Sequence, residues 1–420
     1  MKKKIVIIGG GISGLATAFF IKEKNKNIDV HLYEKQSYLG GYARSVKHNN
    51  VYTEHSPRVI AIKYTNFFKI INCVPEIKKH VKVSKKTKDI GFHPKKSDLF
   101  RLFLILIFYI VTNKKTKKNF ESVIYEKKSF DKETKKFIDV YLHKLGKDHN
   151  DISFDVVVNL CKVFLQSIFD LNVHHFDGPF EHVFIQPLLR HMNINVYLNN
   201  ELTYIKYNCS TSKIDYILIN GNEIVHADQY ILALDINALH KFYKLPKIDV
   251  LKKKSYGIHM GCLLVFNKKI ETDLQFITLN TEWKPIIQLR ENCWEHLNAS
   301  QWSIALPNLY TEKNKISHMN TDQILKELIK QISIFFSGVS LCDITYFRIW
   351  EAFYKDDNNI WQTSEPYFVD FIDIDKYRHG IKTAFSNLFL VNAFSSDIQY
   401  PIWYKEAAAE CAFRFSELYI

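Results

Sequence analysis

The chain begins with an unbroken apolar run, Ile5-Val6-Ile7-Ile8, that ends in Gly9-Gly10-Gly11. A short apolar run stopped by glycine reads as a strand. A helix is expected from about Leu15 to Lys24, and His31-Leu32-Tyr33 forms the next strand, closed by Glu34. Further on, Lys213–Ile219 and Glu223–Leu234 surround Asn220-Gly221, a strong hairpin signal. Ile324, Leu328, Ile332 and Phe335 share one stripe of a helix expected over Asp322–Phe336, and strands are expected near Gly261–Phe266, Ser303–Leu306 and Ile344–Ile349. The opening predicts an α/β unit and the middle of the chain an α+β unit.

One stretch follows neither period. From Leu102 to Val111 all 10 residues are apolar, half of the roughly 20 that a helix needs to cross a bilayer. Lys95, Lys96 and Arg101 flank it on one side and Lys114, Lys115, Lys117 and Lys118 on the other. A buried core helix is the simplest reading. An interfacial helix dipping into anionic lipid, or one lining a tunnel for an apolar substrate, also fits.

Length and charge narrow the class. The 420 residues, 47% of them hydrophobic, can bury large cores and exceed one compact domain, and no repeat or low-complexity linker divides them. Lys and Arg outnumber Asp and Glu by 57 to 44, a net +13, with paired lysines such as Lys78-Lys79, Lys85-Lys86, Lys127-Lys128 and Lys135-Lys136 crowding one segment. Such a surface could meet an anionic partner or be a solvated face, and no nucleic-acid-binding pattern accompanies it, so no specific nucleic acid is expected. Seven single cysteines without a C-x-x-C argue against a zinc site or a disulfide framework and suggest a reducing compartment. Met1-Lys2-Lys3-Lys4 and the strand after it lack a cleavage site for a signal peptide. The expected location is the cytoplasm, with peripheral membrane contact open.

The candidate chemistry sits at the first turn. Gly9-x-Gly11-x-x-Gly14 lies between strand and helix, with Glu34 placed 20 residues after Gly14. Gly9 permits the tight turn, Gly11 lets backbone approach a pyrophosphate, and Gly14 lets the helix pack on the sheet. Ile12 and Ser13 open that helix, whose N–H groups and positive dipole end face the phosphates. Glu34 can accept ribose hydroxyls and would repel a 2′-phosphate, which disfavours NADP.

Gly40-Gly41-Tyr42-Ala43-Arg44, soon after Glu34-Lys35, resembles the second fingerprint of the flavin-containing amine oxidase and phytoene desaturase superfamily. The resemblance extends over most of the chain. Thr53-Glu54-His55-Ser56-Pro57-Arg58, with Tyr64 and Asn66, looks like the segment that family sets against the isoalloxazine. Phe176-Asp177-Gly178-Pro179 with the following helix, and Ala227-Asp228-Gln229-Tyr230-Ile231-Leu232-Ala233, resemble its later elements, and Trp283-Lys284-Pro285 is similar to an aromatic segment of its substrate domain. Asn387-Leu388-Phe389-Leu390-Val391-Asn392-Ala393 stands where relatives read N-L-F-L-A-G-D, so Asn392 and Ala393 replace a glycine and an acid. The helix from Tyr404 resembles x-M-E-x-A-x-E-S-G, with Lys405 in place of methionine before Glu406.

The resemblance implies an α/β, Rossmann-like FAD-binding domain with an inserted α+β substrate domain, the first from residues 1–75, 185–240 and 375–420, the second from 76–184 and 241–374. It implies FAD as cofactor, no metal, and a cofactor set of Gly9, Gly11, Ile12, Ser13, Gly14, Glu34, Lys35, Gly40, Gly41, Tyr42, Ala43, Arg44, Ala233, Asn392, Lys405 and Glu406. Arg44 could neutralise pyrophosphate charge. His55 is the candidate proton acceptor and Arg58 the electrostatic clamp; each is also readable as a scaffold residue. The implied activity is hydride transfer from an apolar or amine small molecule to the flavin. A non-catalytic scaffold or membrane-associated binding protein of the same fold is the alternative, motivated by Asn392 and Ala393.

Overall fold

The computed structural model describes residues 2–61, 64–126, 130–144, 152–165, 173–245, 256–257, 259–294, 297–306, 316–365, 367–368, 376–399 and 405–420. Tyr404, the pair Lys127-Lys128 and the boundary expected between residues 374 and 375 lie outside them. The first strand, β1 (Lys4–Ile8), runs at the centre of a five-stranded parallel sheet. Gln229–Leu232 and then Leu388–Leu390 lie on one side of it, β2 (Asp29–Tyr33) and then Asn195–Tyr197 on the other. Ile5, Val6 and Ile7 are fully buried because both faces are covered, which is why the strand reads as a continuous apolar run.

One face of this sheet meets helix α1 (Ile12–Lys24), which in turn packs along the last helix, Lys405–Tyr419. Ala407, Ala409 and Ala412 are small and fully buried there, so the helix backbones approach closely, and Phe20 meets Phe413 edge-on at 5.3 Å. The other face packs on a three-stranded antiparallel sheet, Leu202–Asn208, Lys213–Ile219 and Glu223–Val225. Asn220 and Gly221 take the left-handed conformation that the hairpin turn needs. The strand expected to run unbroken from Glu223 to Leu234 is split, because Glu223–Val225 pairs with the hairpin while Gln229–Leu232 must enter the parallel sheet beside β1. Asp228 makes the junction by accepting the Lys4 N–H at 2.6 Å.

A second sheet has six strands in the order Ile344–Ile349, Met260–Phe266, Gln301–Leu306, Ile286–Leu289, Phe276–Leu279 and Thr87–Ile90. The helix Thr321–Ser333 covers one face through Ile324, Leu328 and Ile332, and an Asn320–Gln323 capping box starts it. Trp283 belongs to this core, its backbone N–H donating to Gln331 at 3.0 Å. The opposite face carries Gly261 and Gln288 toward the segment His55–Arg58, where Gln288 accepts the Arg58 N–H at 3.4 Å. A Cβ on Gly261 would stand 2.0 Å from the carbonyl oxygen of His55, so the strand passes directly against that residue.

The apolar run forms the helix Lys96–Thr112, and the simplest reading of it is wrong on one face. Leu102, Ile105, Leu106, Tyr109 and Ile110 pack on a small core with Phe120, Ile124 and Phe154, whereas Phe100, Phe103, Leu104, Phe108 and Val111 are 43–77% exposed. An all-apolar helix resting on a small cluster can bury only one stripe, and the other stripe is left in water.

Candidate functional site

The two glycine turns form one structure. At Gly9, with φ +107°, a Cβ would come within 2.6 Å of the Ala233 carbonyl oxygen, and at Gly14 within 1.9 Å of the Gly9 carbonyl oxygen. Both positions are therefore closed by the fold itself, which also explains Ala233: its backbone backs the turn. Gly11 differs, because a Cβ there meets nothing nearer than the Gly41 Cα at 3.9 Å. Its outer side is open space. No side chain caps α1 and no acid lies in its first turn, so Ile12, Ser13 and Gly14 present orphan N–H groups at the positive end of a helix. Gly40 donates its N–H to the Gly10 carbonyl at 2.8 Å, and Gly40 and Gly41 have φ of +101° and +55°, so the second turn lies backbone to backbone against the first.

Gly10 was missed by the fingerprint spacing although the glycine triplet signals it: a Cβ would strike Leu39 at 2.3 Å. Glu34 accepts the Gly10 N–H at 2.7 Å and the Gln36 N–H at 2.9 Å. It thus braces the turn, and as a part-exposed carboxylate it keeps acceptor capacity for ribose hydroxyls. Lys35 is exposed. Tyr42 presents its carbonyl to Arg58, and Ala43 is buried in the core beneath the turn.

Arg44 corrects its expected role. It is 4% exposed and donates to the Gly41 carbonyl at 2.9 Å and to Glu351 at 2.8 and 3.1 Å, and it is paired with Glu365 as well. Its guanidinium lies between the rings of Trp350, at 4.7 Å, and Tyr38, at 4.8 Å. With two carboxylates already on it, Arg44 is a clasp between the glycine turn and the chain after the second sheet, and its charge is not free to meet a diphosphate.

His55 and Arg58 sit with Glu54 at the seam between the two sheets. Arg58 is buried and donates to the carbonyls of Tyr42 and Arg44 at 3.3 and 3.2 Å; its Nε is 3.8 Å from Glu54. Glu54 also takes the Ser45 hydroxyl at 2.7 Å and the fully buried Arg290 at 3.3 Å. Arg58 is a scaffold cation that holds the segment together. Burial, aided by the nearby positive charge of Arg58, pushes His55 down to about 3. At that value His55 is neutral at pH 7, which favours its reading as a scaffold residue over that of a proton acceptor.

Lys405 has the titration closer to neutrality. Burial, then the charge of Arg58, brings its ammonium down to about 7, with Glu54 opposing. His55 and Lys405 are half-buried, and burial dominates the titration of both. Glu406 points elsewhere: its carboxylate accepts the N–H groups of Asn66 and Phe67, each at 2.9 Å, and the Asn66 amide at 2.8 Å. Its carboxylate caps helix α2 (Thr65–Cys73). Burial pushes it up to about 7.

Asn392 is also turned inward. Its amide donates to the Leu234 carbonyl at 3.1 Å, and its oxygen accepts the Phe394 N–H at 2.9 Å and faces His379 Nε2 at 3.0 Å. A side chain has replaced glycine and found scaffold partners, and Ala393 beside it offers no acceptor. The residues therefore fit an extended dinucleotide at the glycine turns, while the far end has lost the family's acid. Among the described residues no cluster of three His, Cys, Asp or Glu could hold a metal ion.

Comparison with known proteins agrees with this geometry. The NAD(P)-binding Rossmann-like domain profile matches residues 7–74. A coproporphyrinogen III oxidase of Bacillus subtilis (strain 168) is 45% identical over 60 residues, 13% of this chain and 13% of that protein's length. The whole chain superposes on a double mutant of putrescine oxidase with a TM-score of 0.75 at 13% identity, covering 99% of this chain and 98% of the other. It also superposes on cyclohexylamine oxidase from Brevibacterium oxydans IH-35A with a TM-score of 0.70 at 10% identity, covering 99% and 98%. The chain thus shares its fold with putrescine oxidase and cyclohexylamine oxidase.

Proposed function

We propose that this chain, built on the flavin amine oxidase fold, is an FAD-dependent oxidoreductase that acts on a small apolar or amine substrate. The observation that carries the reading is the back-to-back pair of glycine turns, open only at Gly11, beneath an uncapped helix N-terminus. Backbone N–H groups of Ile12, Ser13 and Gly14 would hold the diphosphate, and Glu34 the adenosine ribose. Bound FAD supplies a two-electron acceptor for a hydride from substrate. Around it the chain's own groups divide the work. His55 stays neutral and shapes the interior, Arg58 and Glu54 fix the seam, and Lys405 can release or hold a proton near neutral pH. The names of the similar proteins point to amines and porphyrinogens as substrate classes.

No helix among the described residues is long and apolar enough to cross a membrane. A second reading, a scaffold that no longer turns over substrate, is favoured by Asn392 and Ala393. Titration of cofactor-stripped protein with FAD, followed by flavin fluorescence and absorption, separates the two. Saturable binding of one FAD supports the oxidoreductase, and no binding after reconstitution leaves the scaffold.

A further inference from the structure

We infer that the exposed face of the helix Lys96–Thr112 is a docking surface for an anionic lipid bilayer, on which the helix lies flat. Phe100, Phe103, Leu104, Phe108 and Val111 form its outward strip, with Val111 77% and Phe100 63% exposed. Positions three and four apart on a helix share a face, so these side chains make one continuous patch. Soluble proteins scatter large exposed apolar residues singly; five on one helix mark a surface that meets something.

The charges around the strip say what. Between Lys95 and Lys118 there are seven basic residues against the single acid Asp98, nearly half of the chain's +13 surplus. Lys95 and Lys96 stand at one end of the strip and Lys114, Lys115, Lys117 and Lys118 at the other, all exposed. None of these six makes an ion pair among the described residues. Asp98, the lone acid, is 3% exposed, held 3.5 Å from Arg101, and gives its other oxygen to the Asp131 N–H at 2.9 Å.

An apolar strip bracketed by unpaired lysines matches the cross-section of a bilayer surface: acyl chains under the strip, acidic headgroups at both ends. A second copy of this chain fits worse, because its own lysines would face these. The core of Phe120, Ile124 and Phe154 under the inner stripe keeps the helix in place without lipid, so the strip is formed before docking. Docking stands on this surface alone and holds whichever reaction the interior carries.

Vesicle co-sedimentation tests it, with the full chain, vesicles of neutral phosphatidylcholine, and vesicles with about a third phosphatidylglycerol. Binding is expected to the anionic vesicles, to weaken as salt is raised, and to fall about fivefold for each of Lys114, Lys115 and Lys117 changed to Gln, since each lysine near such a surface contributes about 1 kcal/mol. Leu104→Asp with Phe108→Asp should abolish it, and an unchanged melting temperature shows that the fold survives. Equal pelleting with both vesicle types, or none with either, overturns the inference. So does a concentration-dependent dimer in sedimentation velocity that the double Asp variant dissociates, because a second copy would then cover the strip.

Discussion

Gly11 and Gly14 separate cofactor binding from folding in a way a single assay pair can read. At Gly14 a Cβ would stand 1.9 Å from the Gly9 carbonyl oxygen, a backbone atom that cannot rotate aside. Gly14→Ala must push α1 off the sheet, and overpacking of this kind costs about 1–3 kcal/mol, more where backbone is the obstacle. At Gly11, φ is −73° and ψ −176°, values any residue adopts, and the nearest atom to a new Cβ is 3.9 Å away. Gly11→Ala should therefore leave the unfolding midpoint of the cofactor-free protein unchanged or raise it by about 0.4–1 kcal/mol, through a stiffer unfolded chain. The same methyl group stands in the open space assigned to the diphosphate. Loss of one or two charge-assisted N–H contacts, about 1.5–3 kcal/mol each, predicts an FAD dissociation constant at least tenfold higher. Urea unfolding without cofactor and FAD titration by fluorescence are the two readouts. An alanine at Gly11 that binds FAD as tightly as the parent refutes the diphosphate site, and one at Gly14 that unfolds at the parent midpoint refutes the packing argument.

Lys405→Met should change the pH dependence of stability. The folded ammonium titrates near 7 and the unfolded one near 10.5, so the unfolded chain holds more protons between those values and stability rises with pH across that window. The variant should lose that rise, on the order of 3–5 kcal/mol, and be more stable than the parent below pH 7; parallel stability curves would count against it. Ala393→Asp alone should tighten FAD about tenfold by restoring an acceptor, whereas adding Asn392→Gly should cost stability, since the buried partners at Leu234 and His379 are left without it. FAD binding unchanged by the new acid would sink the first half. Glu406→Ala should lower the unfolding free energy by about 1–3 kcal/mol by uncapping α2, checked by urea titration, with an unmoved midpoint as the contrary result.

Local signals carried a large share of the fold. The glycine turn, the Asn220-Gly221 hairpin and the strands Met260–Phe266 and Ile344–Ile349 are each specified by residues a few positions apart, which is the range over which turn chemistry and periodicity act. The roles of charged residues were not legible. Arg44 finds Glu351 and Glu365 more than 300 residues away, and Glu406 finds Asn66 340 residues away. A carboxylate that caps a distant helix looks in sequence like one that meets a ligand, because the path of the chain decides what stands beside it. The exposure of Phe100 and Phe108 escaped for the same reason: period and composition fix the helix, and only the extent of the core beneath it fixes which stripe stays in water.

The packing of α1 on the last helix sets a schedule for synthesis. Phe20 leaves the ribosome early, but its partner Phe413 and the alanine face from Ala407 to Ala412 follow almost 400 residues later. At roughly 5–20 residues per second that interval is on the order of 20–80 s. For the first half of it β1 also lacks the strand Gln229–Leu232, so the first segment made is among the last to be sealed. Apolar surface left open for that long favours aggregation, so yield in a foreign host should rise when synthesis is slowed or holding chaperones are supplied.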